Sequence, residues 1–217
     1  MSNEDAHSSY ISKEGIPFIV VSFLVSLLIY LFGFRFISLF FFLLSFFITW
    51  FFRNPERMTP DKEGLIVSPA DGVVIKIEEA QSEEIPGETF RKVSIFMNVF
   101  NVHVNRFPCS GEVTKIRYRP GKFFSANLDK ASELNERNTV VIRTADGREI
   151  VTIQIAGLIA RRIVWWIKEK DFARKGKRFG MIRFGSRLEV FLPMRSAVLV
   201  RVGDKVRAGE TPIGELL

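Results

Sequence analysis

Cysteine and histidine are almost absent from this chain of 217 residues, which has one cysteine, Cys109, and two histidines, His7 and His103. A single cysteine excludes an internal disulfide and a cysteine-based metal cluster, and it permits a reducing compartment. We expect Cys109 to be a small buried residue ahead of the Ser110-Gly111 turn. With so few ligand side chains, no metal site is predicted.

The chain also lacks a glycine-rich phosphate loop and a regular alternation of strands and helices. A pyridoxal phosphate enzyme would need a phosphate site on a sizeable α/β scaffold, together with a reactive lysine. No side chain is itself an electron sink. Enzymes that need an electron sink borrow a cofactor such as pyridoxal phosphate or make a carbonyl group from their own chain.

Charge is missing from most of the first quarter of the chain. Residues 16–52 are almost wholly apolar and rich in phenylalanine, and only Arg35 interrupts them. A membrane-spanning helix needs about 20 residues, so this run is too long for one comfortable span and barely long enough for two. We predict a helical hairpin that turns near Gly33-Phe34-Arg35, with Arg35 at the far interface because a charge is costly at the bilayer centre. A shallow re-entrant segment and one long tilted helix are the alternatives.

The polar tail formed by residues 1–15 does not resemble a secretory signal. Its charges are mostly acidic, and no small-residue cleavage site follows a short apolar core. Arg53, Arg57 and Lys62 come directly after the hydrophobic segment. By the positive-inside rule they predict a protein of the cell membrane whose remaining residues, 53–217, lie on the cytoplasmic side.

The chain carries a net charge of +7 and has a pI of about 9.7. Much of the positive charge lies in a basic cluster in the last third of the sequence. Its members are Arg161, Arg162, Lys168, Lys170, Arg174, Lys175, Lys177, Arg178, Arg183 and Arg187. A basic residue near an anionic leaflet contributes about 1 kcal/mol of attraction. Because a membrane segment is present, we expect anionic membrane lipids, and no nucleic acid, as partners.

After residue 53, short apolar runs alternate with turn signals, a pattern typical of β-strands. Strands are predicted at residues 73–78, 92–97, 112–118, 139–143 and 149–155. The last two are predicted to form a hairpin through the Asp146-Gly147 turn. Residues 125–138 are predicted to be irregular or helical.

A faint internal repeat marks the last third of the chain. The segment Asp171-Phe172-Ala173-Arg174-Lys175-Gly176 matches Asp204-Lys205-Val206-Arg207-Ala208-Gly209, which lies 33 positions later. Apolar strands flank both segments, and paired hairpins of this kind are typical of biotinyl and lipoyl carrier domains. We therefore predict a mainly β fold, an antiparallel barrel-sandwich, preceded by the N-terminal hydrophobic helical hairpin. Ser186 is expected on a strand or turn between the two repeat segments.

Three chemically competent residue types occur in separate short motifs. They are Asp71 in Ser68-Pro69-Ala70-Asp71-Gly72, His103 in a segment that runs from Asn98 to Arg106, and Ser186 in Arg183-Phe184-Gly185-Ser186-Arg187. Aspartate, histidine and serine together can make an activated hydroxyl nucleophile. The nearest target of Ser186 is the carbonyl group of Gly185. Asn98, Asn101 and Asn105 are expected either to line this site or to cap turns.

Together with Arg53-Asn54-Pro55, these motifs resemble the phosphatidylserine decarboxylase family in its short bacterial and archaeal form. The resemblance covers roughly residues 50 to 217. It implies a lyase that converts phosphatidylserine to phosphatidylethanolamine and CO2 in phospholipid biosynthesis. It also implies a zymogen that cleaves itself between Gly185 and Ser186. The products would be chains 1–185 and 186–217, which would stay together as a heterodimer, with a higher oligomer left open.

The resemblance further implies the cofactor and the roles of the site residues. Ser186 would become a covalent pyruvoyl group, which forms a Schiff base with the amine of the substrate. His103 would be the base for Ser186 and a proton donor in decarboxylation, and Asp71 would orient its imidazole. Long-form members carry two histidines in this segment, whereas this chain has only His103 there. Either His103 serves both steps, or a neighbour such as Asn105 or Arg106 takes one role.

Other functions are compatible with parts of the sequence. A membrane-anchored lipoyl-like adaptor without catalysis would share the β fold, but no long coiled-coil arm is visible. A true lipoyl or biotinyl carrier would need an acceptor lysine at a hairpin tip, and neither repeat segment presents one convincingly. A pyruvoyl decarboxylase that acts on a soluble amino acid, or on a related amino-acid headgroup, is a closer alternative. The hydrophobic segment favours a lipid substrate over a soluble one.

Overall fold

The computed structural model describes residues 9–122, 134–157, 162–183 and 186–217. The chain divides into two compact units, residues Met1–Glu56 and Arg57–Leu217. The division falls a few residues beyond position 53, where the catalytic domain was predicted to begin.

The first unit contains a helical hairpin. A short 3-10 turn at Lys13–Gly15 leads into α1, Ile16–Leu31, and α2 follows at Arg35–Phe51. Gly33 lies between the helices with a φ of 86°, a conformation that favours glycine because it has no Cβ. The predicted hairpin and the position of its turn are confirmed.

Serine side chains are buried inside this hairpin, whereas most of its apolar side chains are exposed. The buried residues of α1 are Ser22 and Ser26, and those of α2 include Ser38 and Ser45. Ser26 and Ser38 bond reciprocally, each hydroxyl donating to the other residue's main-chain oxygen at 2.9 Å. Small hydroxyl residues at a helix–helix contact, with large apolar side chains facing out, are typical of helices packed in lipid.

Length and composition make α1 a candidate membrane anchor. Together with the preceding turn it spans Lys13–Leu31, and it is the one described helix long and apolar enough to cross a bilayer. The second helix, Arg35–Phe51, is as apolar in character but shorter.

The Arg53-Asn54-Pro55 motif holds the two ends of the hairpin together. The main-chain nitrogen of Asn54 donates to the oxygen of Tyr10 at 2.6 Å, and its side-chain amide donates to the oxygen of Ser9 at 2.8 Å. Ile11 and Arg53 form an isolated β-bridge. The motif residue Asn54 therefore has a structural role in the first unit.

The second unit is built from β-strands. β1 to β5 are Leu65–Val67, Gly72–Ser82, Ile85–Met97, Val104–Arg106 and Gly111–Arg119. β6 to β10 are Arg137–Arg143, Glu149–Ala156, Ile163–Trp165, Phe172–Ala173 and Arg178–Ile182. β11 to β14 are Ser186–Pro193, Ala197–Val198, Lys205–Val206 and Pro212–Glu215.

These strands form one large and two small sheets. The eight-stranded sheet has the order β13-β2-β3-β11-β7-β6-β5-β9, and the three-stranded sheets have the orders β1-β14-β12 and β4-β10-β8. The named strands pair antiparallel throughout. The predicted class, a mainly β and antiparallel fold behind an apolar helical hairpin, is confirmed.

The sheet orders show an internal duplication larger than the repeat visible in the sequence. β1 to β3 and β11 to β14 form a first half, and β4 to β10 repeat the same succession of seven strands as a second half. When the halves are matched strand for strand, the eight-stranded order reads the same from both ends, and the two small sheets become equivalent. The second half is therefore inserted into the first, between β3 and β11.

Main-chain hydrogen bonds support this duplication. Val67 donates its N–H to Pro108, and Arg106 donates its N–H to Pro69, both at 2.9 Å. Val67 in the first half corresponds to Arg106 in the second, and Pro69 corresponds to Pro108. Each of the two bonds therefore becomes the other when the halves are exchanged. The halves are thus related by an approximate twofold axis that passes between them.

The repeat found in the sequence lies at the edges of the large sheet. Its two segments contain β9 and β13, which are the two edge strands. The last residues of the segments, Gly176 and Gly209, both have positive φ angles, 79° and 75°. They also meet in space, because a Cβ added to Gly209 would lie 3.3 Å from the carbonyl oxygen of Gly176.

The other strand predictions also have clear outcomes. The predicted segments lie within β2, β3, β5, β6 and β7, and β2 and β3 extend further than predicted. Residues 144–148 form the turn between β6 and β7, with Gly147 at a φ of 84°. Of the segment predicted to be irregular, residues 125–133 lie outside the described residues. Its end is wrong, because Arg137 and Asn138 already pair with β7 as part of β6.

Candidate active site

Ser186 is the first residue of β11, which lies at the centre of the large sheet. It faces Met97 of β3 on one side and Ala156 of β7 on the other, and its side chain is fully buried. Side chains alternate along a strand, so Ser186 points into the same core as Leu188 and Val190. Its position between the two repeat segments is as predicted. The other residue of the predicted cleavage bond, Gly185, lies outside the described residues.

The Ser186 hydroxyl donates to the sulfur of Met97 over an Oγ–Sδ distance of 3.3 Å. A thioether is a weak acceptor, so the hydroxyl is held in place without a strong competitor for its proton. The same sulfur receives a long contact of 3.7 Å from the side-chain amide of Asn105, which is also fully buried. Met97 therefore joins the serine to the strand that follows His103.

Behind Met97 lies a row of three buried amide side chains. Gln154 donates to Asn105 Oδ1 at 2.8 Å, and Asn138 donates to Gln154 Oε1 at 3.0 Å. Because Oδ1 of Asn105 is the acceptor in this row, its NH2 group must face Met97 and the Pro69 carbonyl, 3.5 Å away. The row gives Asn105 a defined orientation at the site. The sequence left open whether Asn98, Asn101 and Asn105 line the site or cap turns. Asn105 lines the site.

His103 is fully buried in the loop before β4. Its Nδ1 lies 3.0 Å from the main-chain oxygen of Asn101. A carbonyl oxygen can only accept, so Nδ1 carries a proton and donates this bond. The loop joins the end of β3, where Met97 faces Ser186, to β4. In the described part of the chain the Ser186 hydroxyl donates to Met97 and not to the imidazole.

Asp71 is buried, and its partners are groups other than His103. Its Oδ1 accepts the main-chain N–H of Ala208 at 2.8 Å, and its Oδ2 lies 2.9 Å from Nη2 of Arg57. In the second half of the fold, Ser110 takes the equivalent position and accepts the N–H of Lys175 at 3.1 Å. The bond from Ala208 to Asp71 therefore has a counterpart in the second half. The ion pair of Asp71 with Arg57 belongs to the first half.

Comparisons with known proteins show which family this chain resembles. The family model described as phosphatidylserine decarboxylase matches residues 44–214. A phosphatidylserine decarboxylase proenzyme from Syntrophus aciditrophicus is 60% identical over 209 residues, which is 96% of this chain and 98% of the relative. One from Desulfotalea psychrophila is 47% identical over 95% of this chain and 97% of its own length.

The chain belongs to the phosphatidylserine decarboxylase family. A further relative with the same description, from Ruegeria pomeroyi, is 54% identical over 77% of this chain and 78% of its own length. The predictions of an enzyme, and of a decarboxylase, are confirmed by this membership. The four motifs read from the sequence all lie inside the matched region.

Within this decarboxylase, Asn98 and Asn101 cap a turn. Asn98 Oδ1 accepts the N–H of Phe100 at 2.8 Å, and Asn101 Oδ1 accepts the N–H of Asn98 at 2.9 Å. Arg106 is also structural, because its guanidinium donates to the oxygen of Gly176 at 2.8 Å. Of the two neighbours named as substitutes for a second histidine, Asn105 is the one that contacts the Ser186 region.

Arg187 corrects the interpretation of the basic cluster. Its side chain is 1% exposed and lies on the opposite face of β11 from Ser186. Nη2 of Arg187 contacts Glu189 and Ser94, each at 2.9 Å. A buried arginine paired with a carboxylate does not face a membrane, so Arg187 does not belong to the cluster of surface charges.

Two site residues were missed by reasoning from the sequence, Met97 and Gln154. Neither belongs to a residue type that signals catalysis, and strand pairing alone brings them to Ser186. The thiol of Cys109, by contrast, is buried as expected, and burial raises its pKa to about 12. It is therefore a neutral thiol under physiological conditions.

Proposed function

We propose that this protein decarboxylates phosphatidylserine to phosphatidylethanolamine and CO2, as a step in phospholipid biosynthesis. It does so with a pyruvoyl group made by its own cleavage between Gly185 and Ser186. One observation carries the proposal: Ser186 is a buried hydroxyl held at the start of a central strand, in a chain whose relatives are described as proenzymes.

The cleavage is an internal rearrangement that needs no outside reactant except water. The hydroxyl oxygen of Ser186 attacks the carbonyl carbon of Gly185, and an ester replaces the peptide bond. Loss of the α-proton of residue 186 then expels the carboxylate of residue 185 and leaves a dehydroalanine. Water hydrolyses this group to a pyruvoyl cap and releases ammonia. The products are chains 1–185 and 186–217.

His103 is the proposed base for these proton transfers. Its Nδ1 donates to the Asn101 oxygen, so Nε2 is the nitrogen that can take a proton. The Ser186 hydroxyl must rotate away from Met97 to deliver its proton, and a weak thioether acceptor makes that rotation easy. The same imidazole is proposed as proton donor in decarboxylation.

Asp71 is proposed to act on the site through the turn at residues 68–72. Its bonds to Ala208 and Arg57 hold this turn. The turn presents the Pro69 carbonyl, which accepts the N–H of Arg106 at 2.9 Å and lies 3.5 Å from the amide of Asn105. The carboxylate thereby helps to place β4 and the loop before it, which contains His103.

The residues around position 186 fit a pyruvoyl group. The group is smaller than the serine residue it replaces, and it would remain between Met97 and Ala156 at the start of β11. When formed, it supplies a carbonyl that takes up the electron pair released as the substrate loses CO2. The Asn105 amide, oriented by Gln154, contacts the same Met97 sulfur that accepts the Ser186 hydroxyl.

We further propose that the protein is anchored in the cell membrane, with Arg57–Leu217 on the cytoplasmic side. The length of α1, the buried serines of the hairpin and its outward apolar side chains support an anchor. Arg53, Arg57 and Lys62 directly after the hairpin support the orientation. Anionic lipids, including the substrate, are the partners that this location supplies.

Intact mass of the purified protein tests the proposal. Wild type should give two fragments that break between residues 185 and 186, and the smaller should carry a pyruvoyl cap in place of an amino terminus. Ser186→Ala should give one chain of about 24.9 kDa. Ser196→Ala, which alters another buried serine, should be cleaved like wild type.

The cleaved protein is then assayed with phosphatidylserine and with free serine. Release of CO2 from the lipid alone supports the proposal, and release from serine alone supports the soluble amino-acid alternative. A folded wild-type chain that stays uncleaved would rule out the pyruvoyl mechanism and favour the adaptor.

A further inference from the structure

An open cavity of about 480 Å³ lies close to the start of β11. One wall is aromatic, because the rings of Tyr118 and Trp165 stack with their centroids 5.3 Å apart. Arg162 and Arg183 line it as well, together with the carboxylate of Glu136. The cavity thus combines a flat apolar surface with two guanidinium groups and one carboxylate.

The two arginines occupy facing positions on neighbouring strands. Ile163 of β8 pairs with Ile182 of β10, and Arg162 and Arg183 are the next residues beyond this pair. The N–H of Arg183 donates to the oxygen of Arg162 at 3.3 Å. Like charges in facing positions of a sheet destabilise it, so this arrangement favours an anion between them.

The carboxylate in the cavity does not neutralise both guanidinium groups. Glu136 is buried, and its Oε1 accepts the main-chain N–H of Ile163 at 3.1 Å. Burial and the adjacent Glu136 charge also raise the pKa of Tyr118, so its hydroxyl stays protonated. The described lining of the cavity therefore contains two arginines and one carboxylate.

This cavity borders the place where Ser186 begins its strand. Ala156, the β7 residue that faces Ser186, donates its N–H to the oxygen of Glu136 at 2.9 Å. Arg183 precedes Ser186 by three positions in the chain. Glu136 of the cavity is therefore bonded through its main chain to the residue that pairs with the buried serine.

We propose that this cavity is the headgroup site, in which Arg162 and Arg183 bind the phosphate oxygens of an anionic phospholipid. The inference rests on the proposed function and deepens it. In phosphatidylserine, only a few bonds separate the phosphorus from the amine that must reach position 186. Arginine is suited to this role because its planar fork can bond two phosphate oxygens at once. The Tyr118–Trp165 wall packs against the glycerol part of the ligand.

The duplication of the fold supplies a matched control. Arg195 precedes β12 as Arg162 precedes β8, so it occupies the same place in the first half. It is exposed like Arg162. The counterpart of Arg183 in that half is an uncharged residue, Leu217, so no arginine pair forms there. Arg195→Gln therefore removes the same charge from the surface without touching the cavity.

The test compares Arg162→Gln, Arg183→Gln and Arg195→Gln on phosphatidylserine in phosphatidylcholine vesicles, with rates expressed per cleaved chain. Loss of a charged phosphate contact should raise KM about tenfold in the first two variants and leave kcat within about threefold. Arg195→Gln should match wild type. Equal KM values in all four proteins, or an equal rise in Arg195→Gln, would overturn the headgroup site while leaving the decarboxylase intact.

Soluble probes identify the ligand and separate the two proposals. Glycerophosphoserine should inhibit wild type competitively, and stronger inhibition than by inorganic phosphate assigns a phosphodiester. Equal inhibition by both probes would assign a simple phosphate site. Calorimetric titration of glycerophosphoserine into the uncleaved Ser186→Ala chain needs no catalysis. If Ser186→Ala binds glycerophosphoserine and the double variant with Arg162→Gln does not, the site is supported even if wild type proves inactive. If Ser186→Ala does not bind glycerophosphoserine and the arginine variants have the KM of wild type, the site is refuted.

Discussion

The hydroxyl of Ser186 is held by a sulfur atom, and this determines how it can react. An oxygen acceptor would stabilise the hydroxyl in its resting position by about 1 kcal/mol net, and a thioether stabilises it less. Burial meanwhile keeps water from the hydroxyl. A serine in this position is located accurately but bonded weakly, which suits a nucleophile that must turn toward its own preceding carbonyl.

Met97→Leu tests this role of the sulfur. Leucine has nearly the same volume and no acceptor, so the core should remain packed while the hydroxyl loses its anchor. We expect self-cleavage to speed up about three- to tenfold, because the bond to sulfur exists only in the resting position and must break before the hydroxyl attacks. The measurement is the cleaved fraction against time, by intact mass, in freshly synthesised chain.

Met181→Leu is the control, because Met181 is equally buried but lies in β10. It should leave the cleavage rate unchanged. If both variants cleave at the wild-type rate, the sulfur has no positioning role. If both change the rate equally, the effect is one of core packing.

At the scale of elements, the equivalent strands β2 and β5 both begin with a glycine that has no room for a side chain. A Cβ on Gly72 would lie 2.2 Å from the main-chain oxygen of Phe96, and one on Gly111 would lie 2.3 Å from that of Arg143. These atoms belong to β3 and β6, which are themselves equivalent. Close strand approach at this point is therefore a property of the duplicated unit.

Gly72→Ala and Gly111→Ala should destabilise the protein to a similar extent. Each added methyl group must push apart two paired strands, which costs about 2–3 kcal/mol. Urea denaturation followed by tryptophan fluorescence measures the loss. Gly147→Ala is the comparison, because the space around Gly147 is open and only its positive φ opposes a side chain, at about 1 kcal/mol. Very different losses at Gly72 and Gly111 would argue against equivalent strands.

The helical hairpin follows the opposite packing rule from the sheets. The buried contact between its helices is made by Ser26 and Ser38, with phenylalanine rings packed beside it, whereas the sheets bury branched apolar side chains. In water such a hairpin would leave its apolar surface exposed, at a large cost in free energy. Lipid around the helices removes this cost, so the packing pattern itself supports the proposed anchor.

At the scale of the whole molecule, the proposed cleavage site coincides with the point at which the chain returns from the inserted second half to the first half. In the second half, β6 and β7 are joined by the short turn at residues 144–148. Their counterparts, β3 and β11, are joined only through the entire inserted half. A break just before β11 therefore separates the last strands of the first half from the rest without removing any strand from its sheet.

We expect chains 1–185 and 186–217 to stay together after cleavage. β11 pairs with β3 and β7 along its length, β13 pairs with β2, and β14 pairs with β1. The buried hydrogen bond from Arg187 of β11 to Ser94 of β3 adds to this anchoring near the new terminus. Size-exclusion chromatography in native buffer should give one peak that contains both chains.

The uncleaved Ser186→Ala protein should elute at the same volume as the cleaved wild type. Separation of the chains should require denaturant. Release of the small chain in native buffer would show that strand pairing does not hold the cleaved protein together.

The sequence by itself determined the classes of structure and the proposed reacting residue. Periodic apolar runs and turn residues predict β2, β3, β5, β6 and β7, because strand patterns are local. An uninterrupted apolar run predicts the hairpin for the same reason. Motif order was enough to indicate the family and to single out Ser186, since chain order is a property of the sequence.

Only the tertiary structure decided which side chains meet. The Ser186 contact with Met97 and the amide row behind it depend on pairing between distant strands, which no local pattern encodes. The structure also gave Asp71 partners other than His103 and buried Arg187 within the sheet. Strand register and the insertion of one half into the other place these residues, and both arise from burial of a shared core by the whole chain.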